Sequence, residues 1–172
     1  MRSIWMVIVV LGLAVAVVAV ARAVGGPSET VVQPIAFNHK IHLEDAQLQC
    51  LQCHTDAATR VWAGLPGKEV CLDCHDPDDD ETAQEPEKAK LVAFADADQD
   101  IPWRRVAVLR PDVFFSHRRH VTSAGIDCLR CHPGQPALTE PPSTASLVMR
   151  MDDCIACHEA NDISTDCLAC HR

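Results

Sequence analysis

The chain has 172 residues, with 15 Lys and Arg against 24 Asp and Glu and a formal net charge of −9. That length holds one or two small domains, and the acidic balance argues against nucleic acid as a partner. Tyr is absent, aromatic residues make up only 4%, and ten residues are Cys, which points to cross-links, metal or an attached cofactor in place of an ordinary aromatic core.

In chain order, residues 4–21 form an uncharged run rich in Val, Ala and Ile, ended by Arg22. Ala21-Arg22-Ala23 has the small-x-small look of a leader cleavage site. The run is longer than the apolar part of an ordinary leader, however, and about twenty residues span a bilayer. A retained single-pass anchor over residues 1–26 is the expectation, followed by a linker at 27–34. No cysteine follows the run closely, so nothing suggests lipoprotein anchoring.

Residues 37–54 read FNHKIHLEDAQLQCLQCH, and 115–132 read FSHRRHVTSAGIDCLRCH. Phe37, His39, His42, Cys50, Leu51, Cys53 and His54 recur 78 positions later as Phe115, His117, His120, Cys128, Leu129, Cys131 and His132. Identities at one offset without a gap mark an internal duplication. The first module is expected at 35–76. After it, 77–100 carries nine acidic residues against Lys88 and Lys90 and reads as a solvated linker, with a short helix near 87–94. The second module is expected at 101–172, opening on Ile101-Pro102-Trp103-Arg104-Arg105-Val106. Within it 106–115 has the extended look of a strand or a strap.

Every cysteine falls in a C-x-x-C-H: Cys50/Cys53/His54, Cys71/Cys74/His75, Cys128/Cys131/His132, Cys154/Cys157/His158 and Cys167/Cys170/His171. A tetrahedral zinc site takes C-x-x-C pairs two at a time, so five pairs do not divide, and it needs no histidine fixed in the next position. C-x-x-C-H is instead the spacing for attaching a c-type haem through two thioethers, with the histidine presented to the iron. Five covalent haems on residues 31–172 leave roughly 28 residues each, too few for a conventional core. The porphyrins must be the core, inside a mainly α chain with much irregular loop. Arg104, Arg105, Arg110, Arg118, Arg119 and Arg130 are read as partners of haem propionates in preference to a docking patch.

Nine histidines are present, and five belong to the motifs. The other four, His39, His42, His117 and His120, all lie in the duplicated block and are the distal-ligand candidates. Four cannot serve five irons. Thioether sulfur is the usual alternative, and outside the first 26 residues the only methionines are Met149 and Met151. Met151, three residues before Cys154, is the first choice and Met149 the alternative; without either, the fourth haem is the one left open.

Phe-x-His-x-x-His followed by C-x-x-C-H resembles the class III cytochromes c. The resemblance implies bis-histidine irons and closely packed haems. His39 and His117 would each oppose the first haem of its own module, while His42 and His120 reach a neighbouring one. The apolar N-terminus, the segment before Phe115 and Met-x-x-Cys-x-x-Cys-His are also similar to the membrane-anchored pentahaem subunits of alternative complex III. That likeness implies an electron-transfer subunit without a catalytic residue of its own, working beside membrane quinol-oxidising subunits and an iron–sulfur subunit. Electrons would pass to a soluble cytochrome c or copper protein. Haem attachment outside the cytoplasm places the haem region on the periplasmic side of the inner membrane. The competing readings are a stand-alone tethered quinol dehydrogenase and a periplasmic reductase with an open iron.

If each motif is loaded, intact mass spectrometry of the mature protein gives the polypeptide mass plus five haem masses. Four or fewer would sink the assignment of every C-x-x-C-H.

Overall fold

A computed structural model describes residues 30–79, 84–144 and 149–171. The anchor expected over 1–26 lies outside them, as do the start of the linker and residues 80–83. Among the described residues no helix is long and apolar enough to cross a membrane.

Residues 31–172 form one compact unit. Its helices are short: α1 (Cys50–Cys53), α2 (Lys68–Leu72), α3 (Pro86–Asp96), α4 (Met151–Glu159) and α5 (Cys167–Cys170). Four of the five carry cysteines of the motifs, and no strand is present among the described residues. Of the strand or strap expected over 106–115, the structure has an irregular strap, held to the C-terminus where Val113 bridges His171 and the Phe114 N–H donates to Cys170 O at 2.8 Å. The strap and the turns leave much of the chain irregular, as a cofactor-centred protein allows.

α3 alters the reading of the acidic stretch. Pro86 starts the helix where its missing N–H costs nothing. Glu87 and Lys90 pair three residues apart at 2.7 Å on the surface, and Glu87 also accepts from the Ala36 N–H. Leu91, only 4% exposed, meets Ile35 and Ile101 in a small buried cluster edged by Leu72, Phe94 and Trp103. A run of charges flanking one well-placed leucine thus becomes a packing element between the two halves and not a free spacer. Lys68 reinforces it: its Nζ pairs with Asp98 at 2.7 Å and its N–H donates to Asp100 at 3.0 Å. The N-terminal segment is stitched to the strap by Gln33, which donates to the Arg104 carbonyl and accepts from the Arg104 N–H.

The duplication survives in three dimensions. Residues Ile41–Asp45 and Arg119–Ser123 form matching π-helical turns. Across the two copies the backbone bonds reciprocate. The Lys40 N–H donates to Leu138 O and the Arg118 N–H to Arg60 O, both at 3.0 Å. Residues 40 and 118, like 60 and 138, are 78 apart, so each copy grips the other through the same pair of positions. The modules are interlocked.

With so few apolar side chains buried, removing one is costly. Leu91→Ala should destabilise the haem-loaded protein by about 2–4 kcal/mol, read as a lowered denaturation midpoint in far-UV circular dichroism. Val32→Ala, at a site 84% exposed, should stay within about 0.5 kcal/mol of the parent.

Candidate haem-binding site

The short helices set the cysteines for attachment. Backbone bonds from His54 N–H to Cys50 O, His132 N–H to Cys128 O and His171 N–H to Cys167 O, each 2.9 Å, wind each motif into one turn. Asp127 and Asp166 cap the turns that follow them, accepting from Leu129 and Leu168 N–H at 2.8 Å. None of the ten cysteines is in a disulfide. Burial, helped by Cys53, Asp100 and Glu69, pushes the Cys71 thiol up to about 11.

A haem ligand must be neutral and must present Nε2, which requires the proton on Nδ1. The chain provides this repeatedly. His42 Nδ1 donates to Asn38 O at 2.8 Å and His120 Nδ1 to Ser116 O at 2.9 Å, equivalent bonds in the two copies. His54 Nδ1 donates to Gly64 O at 3.2 Å, His117 Nδ1 to Val61 O at 3.1 Å and His158 Nδ1 to Ser164 O at 3.1 Å. A carbonyl only accepts, so each bond fixes the tautomer and leaves Nε2 free. Gly64 offers its carbonyl from a turn at φ +73°, which glycine adopts without strain. Burial foremost also keeps His39, His75 and His132 below the usual histidine range, favouring the neutral, ligating form.

Ring geometry then sorts the imidazoles into pairs. Phe37 stacks on His42 at 4.3 Å and meets His39 edge-on at 4.8 Å; Phe115 does the same with His120 at 4.5 Å and His117 at 4.9 Å. The phenylalanine keeps its two histidines apart, and the wide π-turn rotates side chains less per residue than an α-helix, so residues three apart diverge. His42 ends 6.2 Å from His75, and His120 ends 6.3 Å from His158, centre to centre. Two imidazoles on opposite faces of one metal, with bonds of roughly 2 Å and ring centres roughly 1 Å further out, stand roughly 6 Å apart. Both pairs therefore fit one iron between them. His54 is near enough to His39, and His117 to His132, that its charge adds to burial in lowering that histidine. That leaves His171 without an opposing histidine.

The ring geometry points to a different motif from the one that Met151 suggested. The fourth motif, which Met151 precedes, already has His120 facing His158, so the histidine-deficient position is the fifth. Met151 begins α4 with its side chain 62% exposed. The arginines expected to meet propionates are exposed; two of them have other partners, Arg105 over the Trp62 ring at 4.9 Å and Arg110 at Asp112.

The motifs also adjoin one another in a definite order. Burial raises the Cys53 thiol, and Cys74 beside it raises it further. Cys128 is raised by burial and by Cys50, to which it hydrogen-bonds. Cys154 is raised by burial, then by Cys170, Asp153 and Cys131. Sequence motifs could not reveal these neighbours: Cys50 and Cys128 are equivalent positions of the duplication, but equivalence does not imply contact, and the other pairs share no spacing.

Among known proteins, the family model described as cytochrome c7 and related cytochrome c matches residues 35–90 and 113–172. A relative from Nitratidesulfovibrio vulgaris, "Menaquinone reductase, multiheme cytochrome c subunit", is 36% identical over 101 residues. That stretch covers 58% of this chain and 45% of the relative, so the chain spans less than half of that protein's length. With two cysteines and a histidine in each motif, paired imidazoles in tautomers suited to iron, and a family model matching more than half of its length, the chain belongs to the cytochrome c7 and related, class III multihaem cytochromes c.

Proposed function

We propose that the chain is a pentahaem electron-transfer subunit of a membrane quinol-oxidising complex. The haems supply reversible one-electron chemistry; the protein supplies attachment, ligands and spacing. Cys50 and Cys53, Cys71 and Cys74, Cys128 and Cys131, Cys154 and Cys157, and Cys167 and Cys170 attach the five haems in sequence order. His54, His75, His132, His158 and His171 are the proximal ligands. Distal imidazoles come from His39 to the first haem, His42 to the second, His117 to the third and His120 to the fourth. Met151 is the thioether candidate for the fifth. The observation carrying this reading is the pair of 6.2 Å and 6.3 Å imidazole separations, related by the duplication.

Each duplicated helix then links two haems, His39 and His42 the first and second, His117 and His120 the third and fourth. The reciprocal grip of the two copies joins the first to the third. Cys154 beside Cys170 joins the fourth to the fifth. The result is a line in the order second, first, third, fourth, fifth, with entry and exit at its ends. Residues 1–26 anchor the line to the inner membrane with its haems in the periplasm. An iron–sulfur subunit and a soluble cytochrome c or copper protein are its further partners. The related menaquinone reductase subunit favours a second reading, in which electrons run along the same line toward the quinone.

His120→Gly should cost one of four bis-histidine low-spin signals in electron paramagnetic resonance, with added imidazole restoring it. Retention of all four would refute the His120–His158 pairing.

Residues 4–21 hold no charged side chain, and quinol oxidation must dispose of protons as well as electrons. The purified, haem-loaded chain should therefore exchange electrons with small soluble redox proteins yet fail to oxidise quinol analogues. In native membranes the same haems should be reduced by quinol; oxidation of the reduced haems by menaquinone alone would favour the opposite direction. Rapid quinol oxidation by the single chain would overturn the subunit reading.

A further inference from the structure

Four of the five motif histidines have a second imidazole near them, and with that the chain's nine histidines are used up. His171 is the exception, and it is also held differently. The Nδ1 atoms of His42, His54, His117, His120 and His158 each donate to a neutral backbone carbonyl. His171 Nδ1 instead faces a carboxylate oxygen, Asp112 Oδ2, at 3.6 Å. Backbone bonds fix that approach. Val113, the next residue, bridges His171, and the Phe114 N–H donates to Cys170 O at 2.8 Å. Arg110 Nε holds the other carboxylate oxygen, Asp112 Oδ1, at 3.1 Å. The strap therefore delivers one carboxylate to one proximal histidine and pins it from behind.

We propose that Asp112 is a positioning residue that sets the potential of the haem tethered by Cys167 and Cys170, the terminal and only non-bis-histidine haem of the line. This rests on the reading that every motif carries a haem. At 3.6 Å the carboxylate acts on the imidazole through its charge and not through a hydrogen bond; that negative charge still favours the imidazole's Nδ1 proton carrying positive charge, makes Nε2 a stronger donor to iron and favours the ferric state. A thioether on the opposite face acts the other way, raising the potential. With Met151 as that thioether, an uncorrected fifth iron would hold electrons against return to its bis-histidine neighbour. Asp112 offsets the rise and keeps the terminal iron in exchange with the fourth. Arg110 moderates the effect, since its guanidinium competes with the imidazole N–H for the same carboxylate.

The location of this haem suits an exchange port. Cys167 is exposed, Leu168 between the two cysteines is 81% exposed, and Ile163 in the preceding loop is 55% exposed. Asp112 would therefore tune the haem nearest a partner and leave the interior of the line untouched.

The test is potentiometry of the full, haem-loaded protein followed by optical and electron paramagnetic resonance spectra, with haem content measured on the same samples. Asp112→Asn should raise the midpoint potential of one haem, the one lacking a bis-histidine signal, and leave the other four unmoved. Asp112→Glu should return it toward the parent value. Arg110→Ala, which keeps the carboxylate but frees it from its second partner, should shift the same haem downward. Shifts of opposite sign at one haem are not what general loosening of the strap would give. With five haems present, no shift, a shift in a bis-histidine haem, or shifts of the same sign in both variants would overturn the role of Asp112 and leave the pentahaem reading standing. A parent protein with four haems and a free Cys167 would overturn the reading itself.

Discussion

An iron held by a c-type attachment needs a neutral imidazole aimed along one line, and this chain has almost no core with which to aim it. Only Ile35, Ala57, Leu91 and Ile101 are buried apolar residues among those described. The solution is to orient each imidazole through its far nitrogen. His42 and His120 use carbonyls four residues back in their own turns, so the ligand carries its own support. His54, His117 and His158 borrow carbonyls from loops. In effect the loops are folded by the ligands they hold, and the ligands are oriented by the loops. A neutral hydrogen bond of this sort contributes only about 0.5–1.5 kcal/mol net, so its main effect is on direction and not on stability.

The two copies are alike where the chemistry repeats and differ where one borrows from the other. Phenylalanine, both histidines and the π-turn superimpose in their contacts to within a few tenths of an ångström. Yet His117 Nδ1 bonds to Val61 O, while His39 Nδ1 is buried with no partner among the described residues. The residue that stands 78 positions after Val61 is Thr139, in a proline-rich loop unlike the one that follows His54. The duplicated element kept its geometry; the connecting loops did not. His39 and His117, otherwise equivalent, thus differ in hydrogen bonding, a recognised lever on the potential of an iron that such a histidine ligates.

Much of the site was legible in the sequence, because covalent attachment fixes residue types at fixed spacing. The five motifs, the duplicated histidines and the deficit of one ligand all follow from composition and count. The pairing of His42 with His75 and His120 with His158 did not, since it depends on a π-turn that no local pattern announces. Proximity in sequence suggested Met151 for the fourth motif; the turn geometry had already assigned His120 there. The acidic stretch hid Leu91 for a similar reason: nine acidic residues dominate any average over it, and one leucine on a short helix decides where it packs. Asp112 was invisible as well, being 59 residues from His171 and part of no motif.

A line of cofactors places different demands on its middle and on its ends. In the middle, exchange is fastest when neighbouring sites have similar potentials, and a duplicated unit supplies that by reusing one ligand set. At an end, the site must match a partner, so it has to be free to differ. The chain separates these demands physically. The two copies grip each other through the Lys40–Leu138 and Arg118–Arg60 backbone bonds, while the fifth motif lies beyond the duplication on an exposed turn, backed by the 110–114 strap. Changes in residues 110–114 therefore reach the fifth motif without disturbing the interlocked pair. On the proposed reading, the direction of electron flow is set by what meets the two ends, so one arrangement of sites serves either direction.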